Sequence, residues 1–341
     1  MKYKVFYISS HGFGHLTRCL AEVERQIREE NENSFNKKYR FLLICGENHI
    51  EFSKKYLSKY KNKIFYRELM TDVGLINKEN TLKVDKEKLE EILKKFIDSW
   101  DSIVKKEIEK LKGLDIEEIY VDISPIGVLV GKKLEKKVIV KSNFTWYQQY
   151  KYLNLDKDIV DKFYEIDQMY DELYIYPLNL DMSHIKCSKK DIGYLARESD
   201  PVKVKELREK YEKTIFISCG RSASLEKISI KNFRGTVFFT PGIEVENLSG
   251  DVYKLPIDIL DTQNYISSSE FIISKAGWGT IAESILGKTK MVLMERDGVL
   301  EDTHNIAELK KQGKAISIKE DELKEIDYLE LDKKIKLLNT D

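Results

Sequence analysis

The chain has 341 residues, of which 42% are hydrophobic and 34% are charged. This composition provides enough apolar material for buried cores and excludes a disordered chain, and the length suits two domains better than one. Lysine plus arginine equals aspartate plus glutamate at 58 each, which excludes a nucleic-acid-binding surface spread over the whole molecule.

The sequence also indicates a cellular location. We find no apolar run near the ~20 residues that a membrane span needs, and the first residues lack the pattern of a signal peptide. The cysteines lie far apart without a CxxC pair, at Cys19, Cys45, Cys187 and Cys219. Such spacing predicts neither a zinc site nor a disulfide framework and favours a reducing compartment. We expect a cytoplasmic protein without nucleic-acid partners, and peripheral contact with a membrane stays open.

The first half of the chain alternates predicted strands with predicted helices. Apolar runs that suit strands lie at 4–9, 40–45, 63–69, 117–124, 137–143 and 172–178. Apolar residues at helical spacing predict helices over 20–30, from about 84 to 112, and over 126–134. This alternation is typical of βαβ units, and the strands are apolar enough to be covered on both faces. We therefore expect a parallel central sheet.

The pattern loosens across 178–191, which we interpret as a linker between domains. Strands and helices then resume, with strands predicted in TIFISCG, TVFFTP, FIISKAG and MVLMERD. The sequence thus predicts an N-terminal domain over 1–180, a C-terminal domain over 190–320 and a helical tail over 321–341.

Ligands of open α/β sheets bind outside the carboxyl ends of the strands, so the turns that follow strands are the first candidates for a site. The first such turn, HGFGHLTR at 11–18, joins the first strand to the first helix. Gly12 and Gly14 let a ligand approach the backbone, and His15 lies near a helix N-terminus. The spacing matches neither GxGxxG nor the P-loop. A tight strand-to-helix connection without a ligand is the alternative.

The second turn, SCGRSAS at 218–224, follows the predicted strand TIFI. Its small residues, together with an arginine, suit an anion-binding loop. An ordinary polar connection is the alternative.

The third turn, SKAGWGTIAE at 274–283, follows another predicted strand. Backbone N–H groups at the start of a helix near Thr280 can hold a diphosphate, and the helix macrodipole favours the negative charge. Glu283 lies one turn further on and can accept hydrogen bonds from two ribose hydroxyls. Stabilisation of the helix dipole is the alternative role of this carboxylate.

These motifs resemble a known group of enzymes. The stretch 274–316 resembles the donor-site motif of GT-B glycosyltransferases, especially the bacterial enzymes that add N-acetylglucosamine to make lipid II, and HGFGHLTR resembles their N-terminal glycine loop. A closer likeness, to the glycosyltransferase-like half of L-arabinokinases, lies in HGFGHLTR, in 121–150, and in SKAGWGTIAES followed by ERDGVLEDTHN. The likeness covers most of residues 5–316 in the same order. It implies an α/β protein of the GT-B fold, with two Rossmann-like, doubly wound parallel-sheet domains facing a central cleft.

The resemblance also implies donor-binding positions. Glu283 takes the position that grips the ribose, Arg197 takes one that faces the donor phosphates, and Ile257 lies in the segment whose backbone meets the uracil. The sequence departs from the family pattern at Asp302, where glutamine is usual, and at the inserted His304. The predicted donor site consists of Gly14, Arg197, Gly220, Arg221, Ser222, Ile257, Ala276, Gly277, Trp278, Gly279, Thr280, Glu283, Glu301 and Asn305.

Glycosyl transfer needs a base that takes the proton of the acceptor hydroxyl. His15 is the candidate base, and the resemblance places Asp122 where a carboxylate orients such a histidine. A cap on the helix that starts near residue 126 is the alternative role of Asp122. The predicted acceptor side consists of His11, Gly12, Asn143 and Trp146, with Trp146 either stacking on a sugar or lying in the core.

The sequence contains no DxD motif flanked by strands and small residues, so we expect no metal ion and no cofactor. Helix N-termini, Arg197 and Arg221 are then expected to stabilise the leaving group. The sequence predicts a metal-independent, inverting glycosyltransferase that uses a UDP-linked sugar and a hydroxyl acceptor, which a lipid or a glycan can carry. The alternatives are a nucleotide-sugar epimerase or hydrolase of the same fold, and a nucleotide-sugar-binding protein without catalysis.

Overall fold

The structure is a computed structural model that describes residues 2–32, 38–79, 81–219 and 227–339. The described residues form two compact units. The N-terminal unit comprises 1–76 and 85–195, and the C-terminal unit comprises 77–84 and 196–341. Each unit contains a parallel β-sheet connected by helices, so the predicted α/β class with two Rossmann-like domains is confirmed.

In the sheet of the N-terminal unit, the first strand of the chain lies in the interior, and later strands are added on both sides of it. Its described strands are β1 (Lys2–Ile8), β2 (Tyr39–Cys45), β3 (Ile64–Glu68), β4 (Ile116–Asp122), β5 (Lys137–Ser142), β6 (Glu172–Ile175) and β7 (Ser188–Asp191). They pair in parallel in the order β3-β2-β1-β4-β5-β6-β7. The chain therefore winds first to one edge and then to the other, which places the carboxyl ends of β1 and β4 side by side, with Ile8 opposite Asp122.

Helices connect these strands. They are α1 (Gly12–Glu32), α2 (Glu47–Tyr56), α3 (Lys86–Leu111), α4 (Pro125–Lys133), α5 (Trp146–Tyr152) and α6 (Lys157–Asp167). The long helix predicted from 84 to 112 is α3, and it buries Leu89, Leu93, Phe96 and Trp100 at helical spacing. Its Asp85 caps the first turn by accepting a hydrogen bond from the N–H of Lys88.

The C-terminal unit has a second sheet of the same type. Its described strands are β8 (Thr214–Ser218), β9 (Ile228–Lys231), β10 (Thr236–Phe239), β11 (Val245–Asn247), β12 (Asp251–Lys254), β13 (Phe271–Lys275), β14 (Lys290–Met294), β15 (Ala315–Ile318) and β16 (Ile326–Asp327). Its helices are α7 (Pro201–Lys210), α8 (Thr262–Ser268), α9 (Trp278–Leu286), α10 (Leu300–Lys311) and α11 (Tyr328–Ile335). The main sheet has the order β12-β10-β8-β13-β14-β15, and a small sheet has the order β11-β9-β16.

The end of the chain belongs to this second unit. Ile326 of β16 and Tyr328, Leu331 and Ile335 of α11 are buried in its hydrophobic core. The ring of Tyr328 lies 4.8 Å from the ring of Phe233. The stretch 321–341, expected as a separate tail, therefore contributes a strand and a helix to the C-terminal unit.

The boundary between the units also differs from the sequence prediction. The strand β7 pairs with β6, so the end of the predicted linker 178–191 lies in the first sheet. Earlier in the same segment, Leu180, Met182 and Ile185 are buried. The loosened pattern therefore marks a packed irregular segment, and the first unit extends to Leu195. Within the described residues, no helix is long and apolar enough to cross a membrane.

Candidate active site

His15 lies in the first turn of α1, directly after the carboxyl end of β1. Its Nδ1 lies 2.9 Å from Oδ1 of Asp122 at the end of β4. The structure thus brings the two predicted catalytic residues together. The first turn of α4 is capped by Ser124, which accepts a hydrogen bond from the N–H of Gly127, so the alternative role of Asp122 as that cap is wrong.

Asp122 is buried among several hydrogen-bond donors. Burial alone opposes its ionisation, but the neighbouring Arg18 and His15 outweigh burial and hold the pKa of Asp122 well below its usual range. Cys19 also donates to Oδ2 at 3.3 Å. Asp122 therefore faces the imidazole as a carboxylate at neutral pH.

Arg18 connects this pair to a neighbouring strand end. Its Nε donates to Oδ2 of Asp122 at 2.8 Å, and its Nη1 donates to Oδ1 of Asn143 at 3.0 Å. Asn143 is fully buried directly after β5. The sequence analysis placed Asn143 on the acceptor side but assigned no role to Arg18, although this arginine belongs to the HGFGHLTR motif.

Trp146 is 2% exposed and packs against His11, His15, Phe144 and Tyr150. Its ring therefore lies in the core, which is the second of the two alternatives that the sequence left open for Trp146. The ring packs beside both histidines of the glycine turn and helps to hold them in place, but neither of its faces is exposed to a ligand.

Sequence reasoning missed Asp72, which follows β3. Its Oδ2 accepts a hydrogen bond from Nε1 of Trp146 at 2.9 Å, and its Oδ1 accepts one from the N–H of Ser10 at 2.7 Å. Burial raises the pKa of this carboxyl. The turn after β3 lies at the same sheet edge as the turn after β1, so the strand-end rule could have found Asp72.

His11 shapes the glycine turn. Its Nδ1 accepts a hydrogen bond from the N–H of Leu75 at 3.3 Å. A Cβ at Gly74 would lie 2.3 Å from this ring, so only glycine allows the segment to pass so close. Gly12 has φ of 71°, in the left-handed region, and Gly14 is exposed beside His15. The loop therefore leaves open space at the histidine.

In the C-terminal unit, the third turn lies between β13 and α9, as predicted. Gly277 is the N-cap of α9, and a Cβ added there would meet no atom within 4 Å. Trp278 and Gly279 are buried, so their contribution to a ligand is limited to the backbone at the helix start. Ala276 is fully buried, and its carbonyl accepts a hydrogen bond from Nδ2 of Asn305 at 2.8 Å.

The Arg197 side chain is directed at Glu283. Its Nε donates to Oε1 of Glu283 at 2.8 Å, its Nη2 donates to Oγ1 of Thr262 at 2.8 Å, and its Nη1 donates to the carbonyl of Leu260. Arg197 is 5% exposed. These buried bonds orient Glu283, and the prediction that Arg197 faces the donor phosphates stays a prediction.

Two cations that the sequence analysis did not single out lie at the strand ends of this unit. Lys275 ends β13, and burial together with the neighbouring Arg296 lowers the pKa of Lys275 to about 7. Arg296 follows β14 and makes paired hydrogen bonds with both oxygens of Asp302. Asp302 is fully buried, so its departure from the family's glutamine is matched by an arginine partner.

The remaining predicted donor residues differ in how far they are buried. Asn305 is fully buried, and within the described residues its Oδ1 accepts no hydrogen bond. Glu301 and Thr280 are half-buried, whereas Ile257 is 69% exposed. Gly220, Arg221 and Ser222 lie outside the described residues.

Residues 194–341 match the glycosyltransferase family 28 C-terminal domain. This range corresponds closely to the C-terminal unit, whose main segment is 196–341. No curated protein matches the sequence closely enough to be called a relative.

Several solved structures share the fold of the whole chain. Arabidopsis thaliana UGT89C1 in complex with UDP has a TM-score of 0.62 at 10% identity, covering 95% of this chain and 89% of that chain. Phytolacca americana UGT2, in complex with UDP-2fluoro-glucose and pterostilbene, has a TM-score of 0.60 at 11% identity, covering 93% and 85%. CalG4, the calicheamicin glycosyltransferase, has a TM-score of 0.60 at 9% identity, covering 99% and 90%. At such identities the likeness establishes a shared fold.

Proposed function

We propose that this protein, a GT-B glycosyltransferase whose C-terminal unit is a family 28 domain, transfers a sugar from a UDP-linked donor to a hydroxyl acceptor with inversion. The observation that carries the proposal is the 2.9 Å contact between Nδ1 of His15 and Oδ1 of Asp122. An imidazole that donates its Nδ1–H to a carboxylate has a bare Nε2, which is the nitrogen that can accept a proton. The His15 side chain is 11% exposed, and the proposal requires that an acceptor hydroxyl reach its Nε2.

In the proposed step, Nε2 of His15 takes the proton of the acceptor hydroxyl while the hydroxyl oxygen attacks the anomeric carbon of the donor sugar. The new carbon–oxygen bond forms on the face opposite the bond that breaks. The nucleoside diphosphate leaves with the electron pair of that bond, so one displacement inverts the anomeric configuration. The proton on His15 then passes to solvent.

On the donor side, we assign the diphosphate to the N-terminus of α9 and the ribose to Glu283. The open space at Gly277 supports this assignment, because backbone N–H groups there can approach an anion closely. A carboxylate cannot bind phosphate but accepts hydrogen bonds from vicinal hydroxyls. The ion pair with Arg197 holds the Glu283 side chain in one orientation.

We propose that the chain's own positive groups stabilise the leaving diphosphate. The N-terminus of α9, which follows Lys275 at the end of β13, carries the positive end of the helix dipole, and Lys275 adds its charge when it is protonated. Transfer should therefore continue when EDTA is present. Loss of transfer in EDTA that Mg²⁺ restores would contradict metal independence.

UDP is the proposed nucleotide because the similar proteins UGT89C1 and UGT2 were solved with UDP and with a UDP sugar. The acceptor is proposed to be a hydroxyl on a glycan or on a lipid-linked sugar, as the resemblance to lipid II enzymes implies.

The deciding experiment measures thermal unfolding with a panel of nucleotides and then transfer from the sugar donors that bind. A ligand that binds the native state at 100 times its Kd stabilises it by about 2.7 kcal/mol. We expect UDP and a UDP sugar to raise the Tm more than ADP or GDP do. If no nucleotide sugar raises the Tm, or if bound donor never yields a product of inverted configuration, the proposal is wrong.

A further inference from the structure

We infer that Arg296 is a ligand-binding residue whose guanidinium holds an oxyanion of the nucleotide-sugar donor in the C-terminal unit. This role deepens the proposed function and rests on it, because that function assigns the donor to this unit. The diphosphate of the donor and a carboxylate on its sugar are the two sources of such an oxyanion, and the choice of ligands in the test separates them.

Arg296 lies near the point where the chain changes direction across the main sheet. The chain enters this sheet at β8, adds β10 and β12 on one side, and adds β13, β14 and β15 on the other. Ligands of open α/β sheets bind at such a switch point, outside the carboxyl ends of the strands. The switch point lies between β8 and β13, where Ser218 is paired with Ser274. Cys219 and Lys275 follow these two residues at the sheet edge.

The charge of Arg296 reaches this switch point. Arg296 comes two residues after Met294, which is paired with Lys275 across β14 and β13. Burial and then the nearby charge of Arg296 lower the pKa of Lys275 to about 7. Burial also opposes the charge of Arg296, but the carboxylates of Asp302 and Glu301 outweigh burial and raise its pKa. Arg296 is therefore a cation at neutral pH, close to the end of β13.

The first turns of α10 lie against the proposed donor turn. Asn305 donates to the carbonyl of Ala276 at 2.8 Å, directly before Gly277 at the start of α9. Asp302 precedes Asn305 by three positions, so the two side chains lie on the same side of α10, and both are fully buried. Because Asp302 bonds the guanidinium of Arg296, it holds that guanidinium beside the donor turn.

Arg296 has donors left after its bonds with Asp302. A guanidinium has five N–H donors, and Asp302 takes one from Nε at 2.5 Å and one from Nη2 at 2.7 Å. This side-on pairing turns Nη1 away from the carboxylate. In the part of the chain that the structure describes, the hydrogen bonds of Arg296 go to Asp302 alone. The Arg296 side chain is only 9% exposed, and buried N–H groups without an acceptor cost free energy. An oxyanion of the donor would supply the acceptor.

The test compares two variants that break the same ion pair from opposite sides. Arg296→Gln removes the guanidinium, whereas Asp302→Asn keeps it and removes its partner. UDP-glucuronate is the main probe, because it carries both a diphosphate and a sugar carboxylate. In calorimetric titration, Arg296→Gln should raise its Kd roughly 10- to 100-fold, as expected for the loss of charged hydrogen bonds. Asp302→Asn should leave the Kd unchanged or lower it. Equal changes of Kd in both variants would show that the pair is only structural.

Two further variants control for charge and stability. Arg208→Gln on α7 removes an exposed arginine of the same unit, whose Nη2 donates to the carbonyl of Ser267, and it should leave the Kd unchanged. Removing one partner of a buried ion pair is destabilising. If Arg296→Gln does not fold, the double variant Arg296→Gln with Asp302→Asn removes both charges, and its comparison with Asp302→Asn isolates the guanidinium.

UDP-glucose and UDP locate the oxyanion. If Arg296 binds the diphosphate, Arg296→Gln should weaken UDP, UDP-glucose and UDP-glucuronate alike, while the binding of uridine stays unchanged. If Arg296 binds a sugar carboxylate, the wild type should prefer UDP-glucuronate to UDP-glucose, and Arg296→Gln should abolish that preference without changing the Kd for UDP. If the wild type does not bind UDP-glucuronate, the carboxylate is excluded and UDP carries the comparison.

Unchanged Kd values in folded Arg296→Gln for UDP and both UDP sugars would overturn the inference. The outcome for the proposed function is separate. If UDP binds through Arg296 but no sugar is transferred, the function is wrong and the oxyanion site stands. If the wild type binds no nucleotide, inorganic diphosphate replaces it in thermal unfolding. Stabilisation that Arg296→Gln loses and Asp302→Asn keeps would then uphold the site, and no stabilisation of the wild type would overturn it.

Discussion

In the candidate site of each unit, a buried carboxylate pairs with a buried arginine, yet the pKa values of the two carboxylates shift in opposite directions. In the N-terminal unit, Arg18 and His15 overcome burial and lower the pKa of Asp122. In the C-terminal unit, burial outweighs Arg197 and raises the pKa of Glu283. The pairing of arginine with carboxylate alone therefore does not decide the charge state.

The number of donors around each carboxylate accounts for the difference. Asp122 accepts hydrogen bonds on both oxygens, from Arg18 and from Cys19, and lies beside His15. The contacts of Arg197 with Glu283 go to Oε1. We infer that Asp122 is fully satisfied by the protein, as suits a group that orients a base, whereas Glu283 retains acceptor capacity for a ligand.

The largest expected effect comes from removing the base. In His15→Gln, kcat should fall by about 10²- to 10⁴-fold, because the acceptor hydroxyl loses its proton acceptor, while stabilisation by a UDP sugar persists. The matched control is His184→Gln, since Nε2 of His184 lies 2.9 Å from Oδ2 of Asp167 in the same unit. Steady-state kinetics with a thermal shift for each variant checks the prediction. Equal losses in both variants would mean that His15 acts through stability.

A smaller effect, on donor affinity, is expected when the proposed ribose-binding carboxylate of Glu283 is removed. Glu283→Gln removes a charged acceptor of hydrogen bonds, which typically contributes about 1.5–3 kcal/mol, so the Kd for a UDP sugar should rise roughly 10- to 100-fold. Calorimetric titration measures this change, with Glu308→Gln on α10 as the control for a lost surface charge. An unchanged Kd in Glu283→Gln would show that the ribose binds elsewhere.

The sequence was sufficient for features that depend on local pattern. The glycine turn with His15, and the turn before Glu283, both follow parallel strands, and periodicity alone predicted those strands. The pairing of His15 with Asp122 was expected from the resemblance to GT-B glycosyltransferases, and it forms because the neighbouring strands β1 and β4 end at the same sheet edge. The prediction of a linker was wrong because a segment without regular secondary structure can still pack into a core. Met182 and Ile185 are buried in 178–187 although no helix or strand forms there.

Side-chain direction was not accessible from the sequence. Arg197 precedes α7, and only the folded backbone shows that its guanidinium turns towards Glu283, Leu260 and Thr262. Asp72 follows a strand end, which is a signal in the sequence, but its hydrogen bond with Trp146, 74 residues away in the chain, has no such signal. These contacts depend on long-range packing, which no motif spacing encodes.

An alanine at Gly277, in the donor turn, should raise the Kd for the donor by about one order of magnitude. An added Cβ at Gly277 meets no protein atom within 4 Å, so Gly277→Ala should leave the Tm unchanged. If the diphosphate lies against this backbone, the methyl group should cost about 1–2 kcal/mol, which raises the donor Kd roughly 10-fold. Gly287→Ala is the contrasting variant, because its Cβ would lie 2.4 Å from Oγ of Ser267 and should lower the Tm. Unchanged donor affinity in Gly277→Ala would place the ligand elsewhere.

The smallest effect is the pH dependence of donor affinity, which should be bell-shaped. As the pH rises through the value of about 7 to which the pKa of Lys275 is lowered, this lysine loses its charge and a diphosphate binds less tightly. As the pH falls through the raised pKa of Glu283, the carboxylate gains a proton and stops accepting from the ribose. Asp122 should not titrate in this window, because its pKa is held low.

Calorimetric titration with a UDP sugar separates the two limbs, because its diphosphate lacks the second ionisation that UDP itself has near neutral pH. Each limb should change the Kd by at most about tenfold per pH unit. Lys275→Arg should remove the alkaline limb, since arginine stays protonated throughout, and Glu283→Gln should remove the acid limb. If both limbs survive in both variants, neither Lys275 nor Glu283 faces the donor, and the comparison between the two buried carboxylates has no bearing on binding.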